Sequence, residues 1–157
     1  MKKIILVLIL FIFSNHIAFS SILDDHPINI ECQKCMKRKN YTTAGMNECV
    51  DIANEAWLKE IDKYMLMLKK IMPPEKYALM ADSQSKWKVY QEAEWKASGH
   101  IMFNLPGTIH TNYAKGMQAG VVEDRVQDLM SYYEEYKQFY DNCLEIKKNK
   151  QFSLFCP

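Results

Sequence analysis

MNECVDIANEAWLKEIDKYMLMLKKIMPP, residues 46–74, decides the fold. Apolar residues recur in it at 46, 49, 50, 53, 56, 57, 61, 64, 65, 68, 71 and 72. Steps of three and four keep one face of an α-helix apolar for more than seven turns. Pro73 and Pro74 stop it, because proline lacks the amide donor and its ring clashes with the preceding turn. The helix is expected from Thr43 or Gly45 to Met72.

Downstream, Pro74-Glu75 suits the first turn of a second helix, where proline is tolerated and an acid favours the helix dipole. This helix is expected to reach about Ala97 and to end at Gly99, with Met80, Trp87, Tyr90 and Ala97 inward. Its stripe is the weaker one, since Ser83, Gln84 and Glu94 fall on or near the same face. Residues 99–110 read as a loop rich in exposed apolar groups. A third helix follows, from Thr111 at the earliest and Val121 at the latest. Gly116 and Gly120 each cost about 1 kcal/mol in a helix interior and predict a kink or a late start. Its repeat is Val122, Val126, Leu129, Tyr133, Tyr136, Tyr140 and Leu144. No strand pattern competes, so the fold class is all-α: an antiparallel three-helix bundle.

Upstream, residues 21–42 contain Pro27, few periodic apolar positions and the basic stretch Lys34 to Lys39, and read as an irregular lead-in. The first twenty residues have the layout of a cleavable signal peptide. Lys2 and Lys3 precede ten unbroken apolar residues, Ile4 to Phe13, and Ala18-Phe19-Ser20 offers small residues at the cleavage positions. A membrane span needs about 20 apolar residues, so no membrane association is expected after cleavage. The domain plan is then 1–20 signal peptide, 21–42 lead-in, 43–148 helical domain and 149–157 tail. The mature 137 residues carry 18 basic and 19 acidic side chains, a balance that argues against nucleic acid as partner.

All five cysteines, Cys32, Cys35, Cys49, Cys143 and Cys156, lie in the mature part. In an exported protein they point to disulfide staples, and their odd number leaves at least one thiol over. Cys32-Gln33-Lys34-Cys35 has the spacing of a redox pair or of half a zinc site. The redox reading lacks its βαβ setting, and the zinc reading has only the isolated His26 nearby. No cofactor or metal is expected. His100 and His110 flank the loop without a local signature for pairing with Cys143 as a nucleophile, and the acids near Glu123 and Glu134 fall at solvated helix positions. No catalytic constellation emerges. Trp57 and Trp87 sit on apolar stripes as core residues. Trp95 lies off the best stripe of its helix, either covering the bundle end or standing beside the apolar loop as a contact.

Met46-Asn47-Glu48-Cys49, a long helix with Tyr64, Gln84-Ser85-Lys86-Trp87 with Tyr90, Gly107-Thr108-Ile109, and Arg125 with Leu129 follow one another over residues 32–133. In this order they resemble the LprI-type lysozyme-inhibitor domain. The chain departs from that pattern at Trp57 and Glu60-Ile61 in the first helix, at Gln91 where an arginine stands, and at Trp95 where a cysteine stands. The resemblance implies an exported, helical, disulfide-bonded bacterial protein. It also implies that Cys49 pairs with an upstream cysteine, Cys35 first and Cys32 as the alternative. Cys143–Cys156 is the second pair expected, tethering the tail and leaving Cys32 free.

The function implied is binding rather than catalysis: inhibition of lysozyme, a protein partner, in the periplasm or outside the cell. The contact residues expected are Trp95, His100, Phe103, Leu105 and His110, in a protruding loop that presents a polar or carboxylate group to the enzyme's cleft, supported by the acids near Glu123. The alternative is a periplasmic structural or assembly module that binds another envelope component through a Met- and Tyr-rich surface. A thiol enzyme using Cys32 and Cys35 is a third reading.

Overall fold

The computed structural model describes residues 23, 25–149 and 156. The expected signal peptide and most of the expected tail lie outside these residues. The described chain forms four helices and no strand: α1 (Pro27–Arg38), α2 (Thr43–Ile71), α3 (Pro74–Phe103) and α4 (Ile109–Lys148). The architecture is all-α, with one helix more than expected.

The extra helix replaces the irregular lead-in. His26 caps it, its Nδ1 accepting from the Ile28 amide, and Pro27 occupies the first turn. Lys37 and Arg38 in the last turn complement the dipole. What hid α1 is its narrow apolar side: Ile28, Cys32 and Cys35 pack towards α2, and most of the remaining positions are polar or charged. A tight turn closes it, with Asn40 and Tyr41 both at positive φ (52° and 53°). There α1 crosses the start of α2 so closely that a Cβ on Gly45 would collide with Cβ of Lys39. Thr42 caps α2 by accepting from the Gly45 amide.

α2 supplies half of the core along the stripe read from the sequence. Cys49, Ala53, Trp57, Ile61, Met65 and Leu68 are buried on it. Val122, Val126 and Leu129 of α4 meet them, and Leu23 joins the same cluster. Each large side chain removed from water contributes about 1.5–3 kcal/mol. Leu144, expected inward, is exposed, and Cys143 takes the inward position one residue earlier.

Helix α3 departs most from expectation. It does not end at Gly99 but continues to Phe103. Its buried residues are Gln84, Gln91 and Ser98, while Tyr90 and Ala97 face solvent. The half-buried Tyr77, Met80, Trp87 and Trp95 flank this polar line. A hydropathy reading misses such a face because its central residues are polar; Gln84 and Ser98 bond across the seam to Arg125 and Gln118. α4 likewise begins at Ile109, ahead of the expected start, and runs 40 residues through Gly116 and Gly120. At 1.5 Å per residue it is about 60 Å long.

α4 is the spine. It runs parallel to α2, from Asn47 beside Thr111 to Tyr64 against Tyr133. It runs antiparallel to α3, from Trp95 beside Gln118 to Lys76 over Tyr136. α2 and α3 meet over a shorter seam, and α1 packs antiparallel on α2. As a result the end of α1, the start of α2 and the α3–α4 turn lie at one end of the molecule.

Candidate interaction site

The turn between α3 and α4 is far shorter than a 99–110 loop. Five residues, 104–108, connect the helices. Asn104 ends α3 by donating from Nδ2 to the His100 carbonyl at 2.6 Å. Pro106 cannot continue a helix, and Gly107 takes φ +101°, a conformation that favours glycine. Thr111 then bonds the Thr108 carbonyl through its Oγ1 at 2.6 Å and accepts from Asn47 Nδ2 at 2.9 Å. The hairpin is therefore tied to α2 as well as to its own two helices.

At its base is a two-way clasp. Trp95 Nε1 donates to the Gln118 carbonyl at 3.0 Å, and Gln118 Nε2 donates to the Trp95 carbonyl at 3.2 Å. Gln118 is buried, and Ser98 lies within its reach at 3.4 Å. Trp95 is thus half-buried and hydrogen-bonded across the seam. Beyond the clasp the surface is apolar: Ile101, Phe103, Leu105, Ile109, Tyr113 and Met117 are each 43–59% exposed. His100 is exposed as well, and His110 is half-buried with its ring 6.2 Å from Tyr113. The structure therefore brings Trp95, His100, Phe103, Leu105 and His110 to one hairpin end, with Trp95 as its base. Glu123 lies elsewhere, several turns along α4, in a cleft shared with Cys32.

Sequence reasoning missed Gln118 and named Asn47 only as part of the resemblance motif, without its role in holding the hairpin. Nothing in hydropathy marks them. The available signal was the spacing of Gln84, Gln91 and Ser98, polar residues repeating every seven positions along α3.

Cys32, Cys35 and Cys49 lie where α1 packs on α2, and Cys143 lies near the end of α4. Cys35–Cys49 and Cys143–Cys156 are bonded, with Cα–Cα distances of 5.8 and 5.4 Å. Cys32 is free, one turn before Cys35, and its Sγ lies 3.6 Å from the Cys49 carbonyl. It lines a cleft of about 400 Å³ between α1, α2 and α4. Burial, and then the nearby Glu123, push its thiol above the ordinary range. A thiol kept protonated is a poor nucleophile, and Cys35, its partner in the thiol-enzyme reading, is bonded to Cys49. Among the described residues no group of three or more His, Cys, Asp or Glu side chains is placed to hold a metal ion. No described helix is long and apolar enough to cross a membrane.

Fold and site together define a disulfide-stapled, four-helix domain that presents an exposed apolar hairpin. A model of the lysozyme inhibitor LprI family matches residues 35–129, more than half of the chain. The chain belongs to the LprI family. No curated protein matches it. Among solved structures it resembles an uncharacterised protein from Burkholderia thailandensis, with a TM-score of 0.66 and 24% identity. The match covers 71% of this chain and 55% of that one, and the likeness is one of fold.

Proposed function

We propose that this protein inhibits lysozyme by binding, with the hairpin end as its contact surface. The observation that carries the reading is the group of exposed apolar side chains at 101–117, held by the Trp95–Gln118 clasp on a family member's fold. Exposed apolar groups concentrated at one place mark interaction surfaces, and a pre-ordered hairpin loses little entropy on binding. Phe103 and Leu105 supply apolar contact, His100 and His110 supply polar contact, and Trp95 holds the base. The protein acts outside the cytoplasm, in the periplasm or beyond, where its two disulfides persist. No reaction is assigned to it.

The contact differs from the expected form in one respect. From Trp95 to Val122 there is no carboxylate to offer to a muramidase cleft. Shape, apolar area and the two histidines must do that work.

The test is to produce residues 21–157 in an oxidising compartment and titrate the protein against chicken-, goose- and invertebrate-type lysozymes in a cell-wall lysis assay. Stoichiometric inhibition of any one supports the reading. The double variant Phe103→Ala/Leu105→Ala should then inhibit at least tenfold less while melting at the same temperature, since both side chains are half-exposed. Full inhibition by that variant would remove the hairpin from the contact. If the folded, oxidised protein inhibits none of the three, the inhibitor reading fails and binding to an envelope component becomes the reading to test by pull-down.

A further inference from the structure

Helix α3 buries two amide side chains whose hydrogen bonds are incomplete. Gln84 is 7% exposed, and Gln91, on the same face of the helix, is 9% exposed. Arg125 has only donors, so its Nε holds Gln84 by Oε1. The donor Nε2 of Gln84 is left without a partner. The side-chain amide of Gln91 has none either among the described residues. A buried amide left unpaired costs free energy, so each has a use for a polar group from outside the fold.

Both glutamines line one cleft of about 260 Å³ between α2 and α3, which meet only over a short seam. Leu58, Ile61 and the half-buried Trp87 supply its apolar wall. Asp62, Lys88 and Glu92 also line it, and all three are exposed. None of the three is in an ion pair among the described residues. Arg125, behind Gln84, is faced by Asp128. These groups set the chemistry of a ligand. The Gln84 donor needs an acceptor, which a simple cation lacks. Two carboxylates beside one ammonium disfavour an anion. The wall calls for an apolar face. Hydroxyl groups both donate and accept, and a ring that carries them at its edge keeps such a face. Pockets for drug-sized ligands hold about 300–1,000 Å³, so this smaller cleft admits about one ring.

We propose that the α2–α3 cleft binds one neutral sugar unit. Gln84 and Lys88 donate to its oxygens, Asp62 and Glu92 accept from its hydroxyls, and Trp87 with Leu58 and Ile61 covers a face. The site shares no residue with the hairpin contact and does not rest on the inhibitor reading.

The experiment titrates the oxidised, isotope-labelled protein, residues 21–157, with glucose, N-acetylglucosamine and the linear trimer of the latter, with glucuronate as anionic control. The side-chain amide signals of Gln84 and Gln91 and the indole signal of Trp87 should shift together, with a millimolar dissociation constant. Glucuronate should bind about fivefold more weakly. Gln91→Leu should weaken binding about tenfold without lowering the melting temperature. Asp62→Ala, at an exposed position where folding is not at stake, should do the same. Binding of the trimer alone marks the ligand as part of a glycan chain, and binding of the monosaccharides as well marks a free sugar. Folded protein whose Gln84 and Gln91 signals move with none of the sugars overturns the proposal and leaves water to complete the amides. Shifts confined to other residues overturn it too, as do equal binding of glucuronate and wild-type affinity in both variants.

Discussion

Arg125 is 6% exposed at the α3–α4 seam, an unusual place for a guanidinium. Its Nε donates to Gln84 Oε1 at 2.9 Å, Nη2 reaches Ser83 Oγ at 3.4 Å, and Nη1 lies 4.0 Å from Asp128 Oδ2. Burial pulls its pKa down, opposed by Asp128, but an arginine stays charged. Its removal leaves the buried Gln84 amide without its partner. Arg125→Ala should therefore cost about 2–3 kcal/mol in urea unfolding, and Arg125→Met, which keeps the volume without the charge, should cost less. A loss below about 0.5 kcal/mol for alanine would show that the clamp is not structural.

His26 carries a different consequence. Its ring lies 4.4 Å from that of Trp57, and burial lowers its pKa from 6.5, with Glu60 opposing and Lys63 adding to the fall. A base with a lowered folded pKa is neutral in the native state while the unfolded chain takes up the proton first. Stability is thus complete above about pH 6.5 and falls as pH drops below it, until the folded histidine also protonates. Thermal melts should fall more steeply between about pH 7 and 5 for the wild type than for His26→Asn, which retains a capping side chain without the titration. Equal slopes would place the acid sensitivity elsewhere.

At the scale of the element, α4 shows why glycine reads poorly from sequence. Gly116 and Gly120 predicted a kink or a late start, yet both lie inside a continuous helix with no atom within 4 Å of where a Cβ would stand. Packing along α2 and α3 outweighs a propensity cost of about 1 kcal/mol at each position. Nothing in the packing requires glycine there. Gly116→Ala and Gly120→Ala should each stabilise the protein by about 0.4–1 kcal/mol in denaturant unfolding. Gly45→Ala, where α1 crosses α2, should destabilise it instead.

Helices α2 and α3 make the opposite contrast. α2 was legible end to end because its buried face is largely apolar from Cys49 to Leu68 and two prolines follow it. In α3 the inward positions are Gln84, Gln91 and Ser98, and two of them, Gln84 and Ser98, bond to Arg125 and Gln118 of another helix. No periodicity within α3 carries that information. α1 was missed for a related reason: twelve residues with three inward positions do not make a stripe.

On the scale of the whole molecule, the spine α4 joins α2 and α3, and α1 is the outlying piece. It packs on α2 and is stapled there by Cys35–Cys49, a bridge that closes 14 residues. Loop-closure entropy gives such a bridge about 3 kcal/mol. Replacing both cysteines with alanine should lower stability by about that amount. In hydrogen exchange α1 should lose protection first while α2 to α4 keep theirs. Uniform loss over all four helices would mean that α1 is integral to the core.

The sequence by itself determined the helical class, the α2 stripe, the Trp57–Leu68 half of the core, and an exposed apolar stretch within 99–110, read there as a loop. These follow from side-chain period and from proline and glycine chemistry, which act over a few residues. Only the tertiary structure decided that Trp95 and Gln118 clasp the hairpin, that Arg125 is buried against Gln84, and that the end of α1 stands beside a turn more than sixty residues away. Such pairings depend on which way each helix runs against its neighbours, a property of the packed chain that no local pattern encodes.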